Sequence, residues 1–241
     1  MIGPWLAIDT ATELASVAVG SAERVRAVRS LRGARQQAAQ IVPLVDQVLS
    51  LAALRVRNLG AIIVADGPGS FTGLRIGWAA AKGLAHDDVI PLRAIPSLMG
   101  AAHAAARGEV GPVAACFDAL RGQVFGAIYA FPPGRVETLV APGLFTIEDL
   151  ARAAPPPVRP VAVVGDGAVR FPDAVVQWTG RQPISLDALP PVASSLLALA
   201  GREGAARSLD DVTAEPTYGR PAEAQAKWEA HHGRPLPHSS R

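Results

Sequence analysis

The chain has 241 residues, of which 49% are hydrophobic and 18% charged, so it can bury a full core, and neither global disorder nor a fibrous chain is expected. Its 23 Lys and Arg against 21 Asp and Glu leave a net charge of +2, which is little evidence for nucleic-acid binding, because such proteins cluster their cations. A single cysteine excludes an intrachain disulfide and a cysteine metal cluster, and Cys116, inside the apolar run 113–117, is expected to be a buried thiol.

Two classes of targeting segment are not expected. No apolar run approaches the roughly 20 residues that a membrane helix needs. The first residues lack the basic leader of a signal peptide. We therefore expect a soluble, cytoplasmic protein without a membrane partner.

The first half of the chain begins with a predicted hairpin that carries an aspartate at its tip. An apolar strand over 5–8 ends at Asp9, a polar turn follows, and a second strand returns over 16–20. Apolar spacings of three and four predict a helix over 36–54. The remaining predicted elements are strands over 23–31, 59–65 and 89–92 and helices over 72–85 and 98–106, the last capped by Ser97.

The second half opens with a hairpin of the same design. A strand over 113–117 ends at Asp118, a four-residue turn follows, and a strand returns over 124–130. Two such hairpins indicate two copies of one supersecondary unit. Further predicted elements are strands over 136–140 and 161–164, a glycine turn over 165–168, and helices over 146–154 and 192–199, while the tail 230–241 is expected to be disordered.

A glycine-rich segment, Gly67–Gly77, lies between the strand 59–65 and the helix 72–85. Such a turn can wrap an anion, because glycines permit close approach and a helix N-terminus supplies free N–H groups. Its spacing fits neither a P-loop nor the dinucleotide fingerprint nor a serine-hydrolase elbow. For Ser70, a capping or turn role is favoured over catalysis.

The two hairpin aspartates allow two interpretations. An aspartate beside a glycine loop can orient a hydrated magnesium ion, or it can accept hydrogen bonds from its own turn. Both stay open for Asp9, and the turn role is favoured for Asp118. The five histidines show no i, i+4 pair, so no zinc or iron site is expected.

The helices 36–54 and 72–85 carry apolar residues around most of their circumference. A helix that covers a sheet on one side should be polar on the other. We therefore favour a partner interface over simple burial within one domain. The predicted interface residues are Ile41, Val45, Val48, Leu74, Arg75, Trp78 and Ala81.

The duplicated hairpin resembles the layout of the actin-like ATPase (ASKHA, RNase H-like) fold. The resemblance implies an α/β protein with two related subdomains of mixed sheets, over 1–107 and 108–229, the late helix being able to pack back on the first subdomain. The specific strings are similar to the TsaB family. They are Leu6–Thr12, Gly67–Gly77, Ala81–Ala85, Asp118–Phe125, Val164–Gly167 and Pro216–Arg220.

The resemblance also implies a function. TsaB proteins are noncatalytic partners of TsaD, which transfers a threonylcarbamoyl group to N6 of adenosine in ANN-decoding tRNAs, forming t6A. A TsaE-type ATPase joins them; ATP and Mg²⁺ are used by the complex, and this chain would need no cofactor or metal of its own. Pairing with TsaD would use the helices 36–54 and 72–85, the chain can also self-associate, and tRNA would be met through the complex.

Within that family the glycine segment would be a vestigial phosphate loop. Its residues are Asp9, Thr10, Gly67, Gly69, Ser70 and Gly73. The absence of a His-x-x-x-His motif agrees with a noncatalytic subunit. Two positions depart from the family pattern: Arg35-Gln36-Gln37 replaces a histidine-bearing string, and Gln123 stands where an acid is usual. The alternatives are an active ATPase or phosphotransferase of the same fold and, ranked lowest, a peptidase.

Overall fold

A computed structural model describes residues 3–86, 89–106, 108, 110–154, 156, 158–209 and 214–219. The predicted disordered tail, 230–241, lies outside this part of the chain. The strands of the described residues are β1 Trp5–Asp9, β2 Leu14–Gly20, β3 Val25–Arg32, β4 Ala61–Ala65, β5 Leu92–Ile95, β6 Val113–Asp118, β7 Val124–Ala130, β8 Glu137–Phe145, β9 Ala162–Val164 and β10 Arg207–Leu209. The α-helices are α1 Ala34–Leu51, α2 Phe71–His86, α3 Ser97–Ala106, α4 Ile147–Ala153, α5 Asp166–Arg170, α6 Pro172–Thr179 and α7 Val192–Leu199.

The strands form two mixed sheets that share a four-stranded topology, β3-β2-β1-β4 in the first and β8-β7-β6-β9 in the second. The first has the order β10-β5-β4-β1-β2-β3, in which β1, β2 and β3 are antiparallel neighbours and β4 lies parallel to β1. The second has the order β8-β7-β6-β9, with three antiparallel strands and β9 parallel to β6. This duplicated arrangement is the actin-like ATPase fold, as the paired hairpins predict.

The first sheet is covered by helices on both faces. Leu6 and Ile8 of β1 point into a core with α1 and α2, while Trp5 and Ala7 point into a core with α3 and α7. All five β1 residues are buried, which is why the strand reads as a continuous apolar run.

The second sheet shares one of these cores. Its residues Val113, Ala115 and Phe117 belong to the same cluster as α3 and α7, so this cluster fills the space between the two sheets. The opposite face carries Ala114 and Cys116 and is covered by α4 to α6. As predicted, Cys116 is fully buried, and burial raises the pKa of its thiol to about 12.

Several boundaries differ from the sequence prediction. The short strand expected at 89–92 forms at Leu92–Ile95, and the one expected at 136–140 extends through Phe145. The glycine turn expected at 165–168 instead begins α5, and α6 and β10 were missed. Residues 192–209, inside the predicted second subdomain, pack on the first sheet: α7 contacts β1 and β2, and β10 pairs with β5.

Candidate functional site

The tip of the first hairpin is a buried Asx turn. Asp9 is 3% exposed, and its Oδ1 accepts a hydrogen bond from the Ala11 amide at 3.2 Å. Burial raises the pKa of the Asp9 carboxyl to about 7, and the Ala11 hydrogen bond opposes part of that shift. Of the two interpretations left open for Asp9, the geometry matches the turn role.

Three backbone amides of the glycine segment, those of Gly67, Ser70 and Gly73, already have acceptors within the chain. The Gly67 amide donates to Ser97 Oγ at 2.8 Å and the Ser70 amide to the Ala11 carbonyl at 2.7 Å. The Gly73 amide donates to Ser70 Oγ at 3.2 Å, so Ser70 acts as a capping residue, as expected. A phosphate cradle needs such N–H groups free and pointing at the ligand.

The glycines serve close packing against the first hairpin. A Cβ at Gly69 would lie 2.4 Å from the Ala11 carbonyl oxygen, and a Cβ at Gly73 would lie 2.1 Å from that of Thr10. One helical turn on, a Cβ at Gly77 would lie 2.3 Å from the Thr10 Oγ1. The space beside these glycines, which an anion would need, is therefore occupied by residues 10–11 of the same chain.

The second hairpin ends in a closed polar network. Asp118 Oδ1 accepts from the Leu120 amide at 2.9 Å, and its Oδ2 accepts from Arg170 at 2.5 Å. The Asp118 amide donates to Asp166 Oδ1 at 3.1 Å. Burial raises the pKa of Asp166. The oxygens of Asp118 thus accept from a turn amide and from a guanidinium. The amide contact matches the turn role, whereas the Arg170 contact is an addition that the sequence did not predict.

The cleft between the two hairpins is partly filled by the segment 186–192. Among the described residues, two cavities lie there, of about 250 and 180 Å³. The larger is lined by Asp9 and Ser16 of the first hairpin and Phe117 of the second, together with the segment 186–192. An ion pair between Arg32 and Asp187 joins that segment to β3. Both volumes fall below the roughly 300–1,000 Å³ typical of small-molecule sites.

The structure corrects the choice of interface residues. Ile41, Val45, Val48, Leu74, Trp78 and Ala81 are each 3% exposed or less, so they offer no surface to a partner. Leu74 belongs to the cluster between the sheets, and the other five pack against the outer face of the first sheet. Trp78 also donates from Nε1 to the Ala65 carbonyl at 3.1 Å. Of the seven predicted residues only Arg75 is exposed.

An exposed aromatic and cationic cluster surrounds Arg75, and we call it the Arg75 cluster. The rings of Phe71 and Tyr218 have centroids 4.6 Å apart, and the Arg75 guanidinium lies 4.6 Å from the Phe71 centroid. Arg75 Nε donates to Tyr218 Oη at 3.2 Å, and this bond raises the pKa of Arg75. The family string 216–220 was the only sequence signal for Tyr218.

The rest of the exposed face of α1 and α2 is mixed, with small and apolar side chains beside the polar Gln36, Gln40, Asp46, Gln47 and Ser50 of α1. Ala79 lies one turn after Arg75 and is exposed, and Val42 of α1 is 47% exposed. Phe71, Arg75 and Ala79, each four residues apart and exposed, lie along one side of α2.

Two kinds of feature are absent from the described residues. These residues contain no group of three or more His, Cys, Asp or Glu side chains placed to hold a metal ion. Within the same residues, none of the helices combines the length and hydropathy required of a membrane span.

Comparisons with known proteins agree with the fold. Residues 31–215 match the family model "TsaD: tRNA N6-adenosine threonylcarbamoyltransferase". The Bacillus subtilis tRNA threonylcarbamoyladenosine biosynthesis protein TsaB is 32% identical over 92% of this chain and 96% of its own length. The Escherichia coli protein of the same name is 38% identical over 52% of this chain and 54% of its own length.

Two solved structures from Pseudomonas aeruginosa are also similar. One, described as an uncharacterized protein with similarity to the peptidase YeaZ, superposes with a TM-score of 0.72 at 30% identity, over 91% of this chain and all of that one. The other, YeaZ, gives a TM-score of 0.68 at 30% identity, over 83% of this chain and 91% of its own. The length of these matches and the Gly67–Gly77 string lead to one conclusion: the chain belongs to the TsaB (YeaZ-type) family of tRNA threonylcarbamoyladenosine biosynthesis proteins.

Proposed function

We propose that the chain is a noncatalytic subunit that binds and activates a TsaD-type transferase for t6A formation in ANN-decoding tRNAs. The observation that carries the proposal is the occupied glycine segment. Three of its amides donate to acceptors on Ser97, Ala11 and Ser70. Its glycines pack closely against residues 10–11. A loop in this state supports a scaffolding role better than phosphoryl transfer.

The exposed face of α1 and α2 is the surface we assign to the partner. The Arg75 cluster supplies two aromatic rings and an arginine, the residue types that dominate binding energy at protein interfaces. One turn after Arg75, the small side chain of the exposed Ala79 allows another helix to approach α2 closely. Buried residues on the same helices, such as Trp78, would act indirectly by holding α2 in place.

The proposal also defines what the chain does not supply. A TsaE-type ATPase would join the pair, and the complex would use ATP and Mg²⁺ and meet tRNA as a whole. The chain itself would need no cofactor, and the Asp9 and Gly67–Gly73 region would be a vestigial phosphate loop. In the absence of TsaD the same face would support self-association. The site of action would be the cytoplasm.

The experiment is reconstitution with a TsaD-type subunit from the same cells. We expect the purified chain to bind that subunit and to be required for t6A formation on an ANN-decoding tRNA. Ala79→Glu places a charge on the exposed face of α2 without entering the core, because Ala79 is exposed. It should weaken binding by about tenfold to a hundredfold.

The matched control is Ala153→Glu at an exposed position of α4, beside the other sheet. This variant should bind and activate as the wild type does. If Ala79→Glu binds with unchanged affinity, the assigned face is wrong. If the wild-type chain is dispensable for t6A formation, the function itself is wrong.

A further inference from the structure

A cavity of about 760 Å³ lies away from the glycine segment, at the C-terminal end of α3. Its walls come from α3, the 110–112 loop, the turn between β7 and β8, and α7. They are mainly apolar, with Ala104, Ala106, Phe131, Pro132 and Pro133 among the lining residues. Its volume lies in the range of roughly 300–1,000 Å³ typical of small-molecule sites, unlike the two cleft cavities.

Three polar groups in the wall have no ion-pair or hydrogen-bond partner for the named side-chain atoms among the described residues. Arg202 is half-buried, and no carboxylate of the described residues lies within ion-pair distance of it. Ser195 is 7% exposed, and its hydroxyl makes no hydrogen bond within the described part of the chain. Within the part of the chain that the structure describes, the buried His103 Nδ1 has no hydrogen-bond partner. Unpaired polar groups at buried positions cost free energy that a ligand can recover.

The electrostatics of the cavity favour an anion. Glu137 also lines the wall, but its Oε1 accepts from Arg135 at 2.6 Å, so its charge is already paired. Burial, with a smaller contribution from the Arg202 charge, lowers the pKa of His103 to about 4, so the imidazole is neutral at physiological pH. The unpaired charge among these groups is therefore the positive one of Arg202.

An aromatic surface completes the site. The His103 ring stands edge-on to Phe131, with centroids 5.1 Å apart. The Phe131 ring centroid lies 6.3 Å from that of Tyr129, whose buried hydroxyl has no hydrogen-bond partner among the described residues. Flat apolar groups pack well against such edges.

We propose that this cavity binds a small organic anion, an apolar carboxylate whose ring or branched chain packs against Phe131 and the neighbouring prolines. Its carboxylate pairs with the Arg202 guanidinium and accepts a hydrogen bond from the Ser195 hydroxyl. The site is separate from the proposed partner surface on α1 and α2, and it stands whether or not that surface is correct.

The test uses the full chain and 2-naphthoate as the probe, followed by amide chemical shifts. We expect saturable, submillimolar binding, with shifts concentrated at residues 103–112, 130–137 and 195–202. The neutral analogue 2-naphthalenemethanol should bind about tenfold more weakly, because it cannot form the charged pair with Arg202.

Three substitutions at arginine positions complete the design. Arg202→Gln should weaken naphthoate binding by about tenfold, and Arg202→Lys should retain part of the affinity because it keeps the charge. Arg159→Gln, which removes the same charge at an exposed position outside the cavity, should leave binding unchanged. Absence of saturable binding, equal affinity for the neutral alcohol, or equal effects of Arg202→Gln and Arg159→Gln would each overturn the proposal.

Discussion

At the residue scale, Asp9 shows why one aspartate in a sequence supports two functions. The spacing of residues 6–12 places a carboxyl group at a hairpin tip, and this much is visible in the sequence. Whether the carboxyl faces solvent and a metal or faces the core depends on what packs over the tip. Here the turn is covered by the glycine segment, whose Ser70 amide donates to Ala11. That contact joins residues far apart in the chain, so local sequence cannot reveal it.

The burial of Asp9 predicts a specific dependence of stability on pH. Its pKa is about 7 in the folded chain against 3.8 as the reference value, so the folded state holds a proton that the unfolded state has lost between these values. Its contribution to the free energy of unfolding should therefore fall as pH rises from about 4 to 7, by on the order of a few kcal/mol.

Asp9→Asn keeps the oxygen that accepts from Ala11 but cannot ionise. We expect the variant to match the wild type near pH 4 and to be more stable at pH 8, in urea unfolding monitored at both values. If the difference between the two proteins does not change with pH, Asp9 is not buried as described.

At the element scale, α2 owes its position to its glycines. Gly73 and Gly77 face the Thr10 backbone and side chain, whereas Gly83, on the same helix, has no atom within 4 Å of its missing Cβ. Glycine is thus required for close packing at two positions of α2 and has no such role at a third. We expect Gly73→Ala to lower the free energy of unfolding by about 2–3 kcal/mol, because the Thr10 carbonyl is backbone and cannot move aside easily.

Gly83→Ala is the control for that prediction. It should raise the free energy of unfolding by about 0.5–1 kcal/mol, because alanine is the better helix former and meets no neighbour here. Urea unfolding of the two variants measures both effects. Equal effects of the two substitutions would show that close packing at Thr10 does not fix α2.

The helices α1 and α2 also mark the limit of sequence prediction. Their existence follows from apolar spacing, and their ends were predicted to within a few residues. Their abundant apolar surface was assigned to a partner, but most of it faces the chain's own sheet. One further face of α2 is covered by the C-terminal part of the chain: Lys82 Nζ donates to the Ala214 carbonyl at 2.5 Å, and the Arg207 guanidinium lies 5.6 Å from the Trp78 ring centroid. Helical periodicity carries no information about such distant segments.

At the scale of the whole molecule, the chain returns to its first sheet after building the second. The duplicated hairpins predict two related sheets, and the structure has them. The pairing of β10 with the first sheet is harder to predict from the sequence. Strand β10 has only three residues, and because Arg207 and Ser208 are exposed it shows no apolar run. An ion pair attaches the returning segment to the first sheet: Arg207 donates to both carboxylate oxygens of the buried Asp66, at 2.9 and 2.8 Å.

This ion pair connects the C-terminal segment to the glycine segment. The Thr217 amide donates to the Asp66 carbonyl at 2.8 Å. A Cβ built on Gly67 would lie only 2.1 Å from the Thr217 carbonyl oxygen, so residue 217 packs directly against Gly67. Residues 214–219, which include Tyr218 of the Arg75 cluster, are thus fixed beside the proposed partner surface. Loss of the ion pair should loosen that surface as well as the fold.

Arg207→Leu tests this coupling. Asp66 is largely buried, with 8% of its side chain exposed, so its charge would lose its partner away from water. Because Arg207 itself is 46% exposed, we expect a modest loss of about 1–3 kcal/mol in the free energy of unfolding. Hydrogen exchange at the Thr217 amide should accelerate by more than the global change, because the segment is released locally.

A double-mutant cycle separates the ion pair from other effects. Adding Asp66→Asn to Arg207→Leu should recover part of the lost stability, because no buried charge is then left without a partner. Arg135→Leu breaks the exposed pair with Glu137, whose side chains are 58% and 43% exposed, and should change the free energy of unfolding by less than about 1 kcal/mol. Additive effects of the two substitutions at Asp66 and Arg207 would mean that the return of the chain is held by the backbone pairing of β10 with β5 and not by this ion pair.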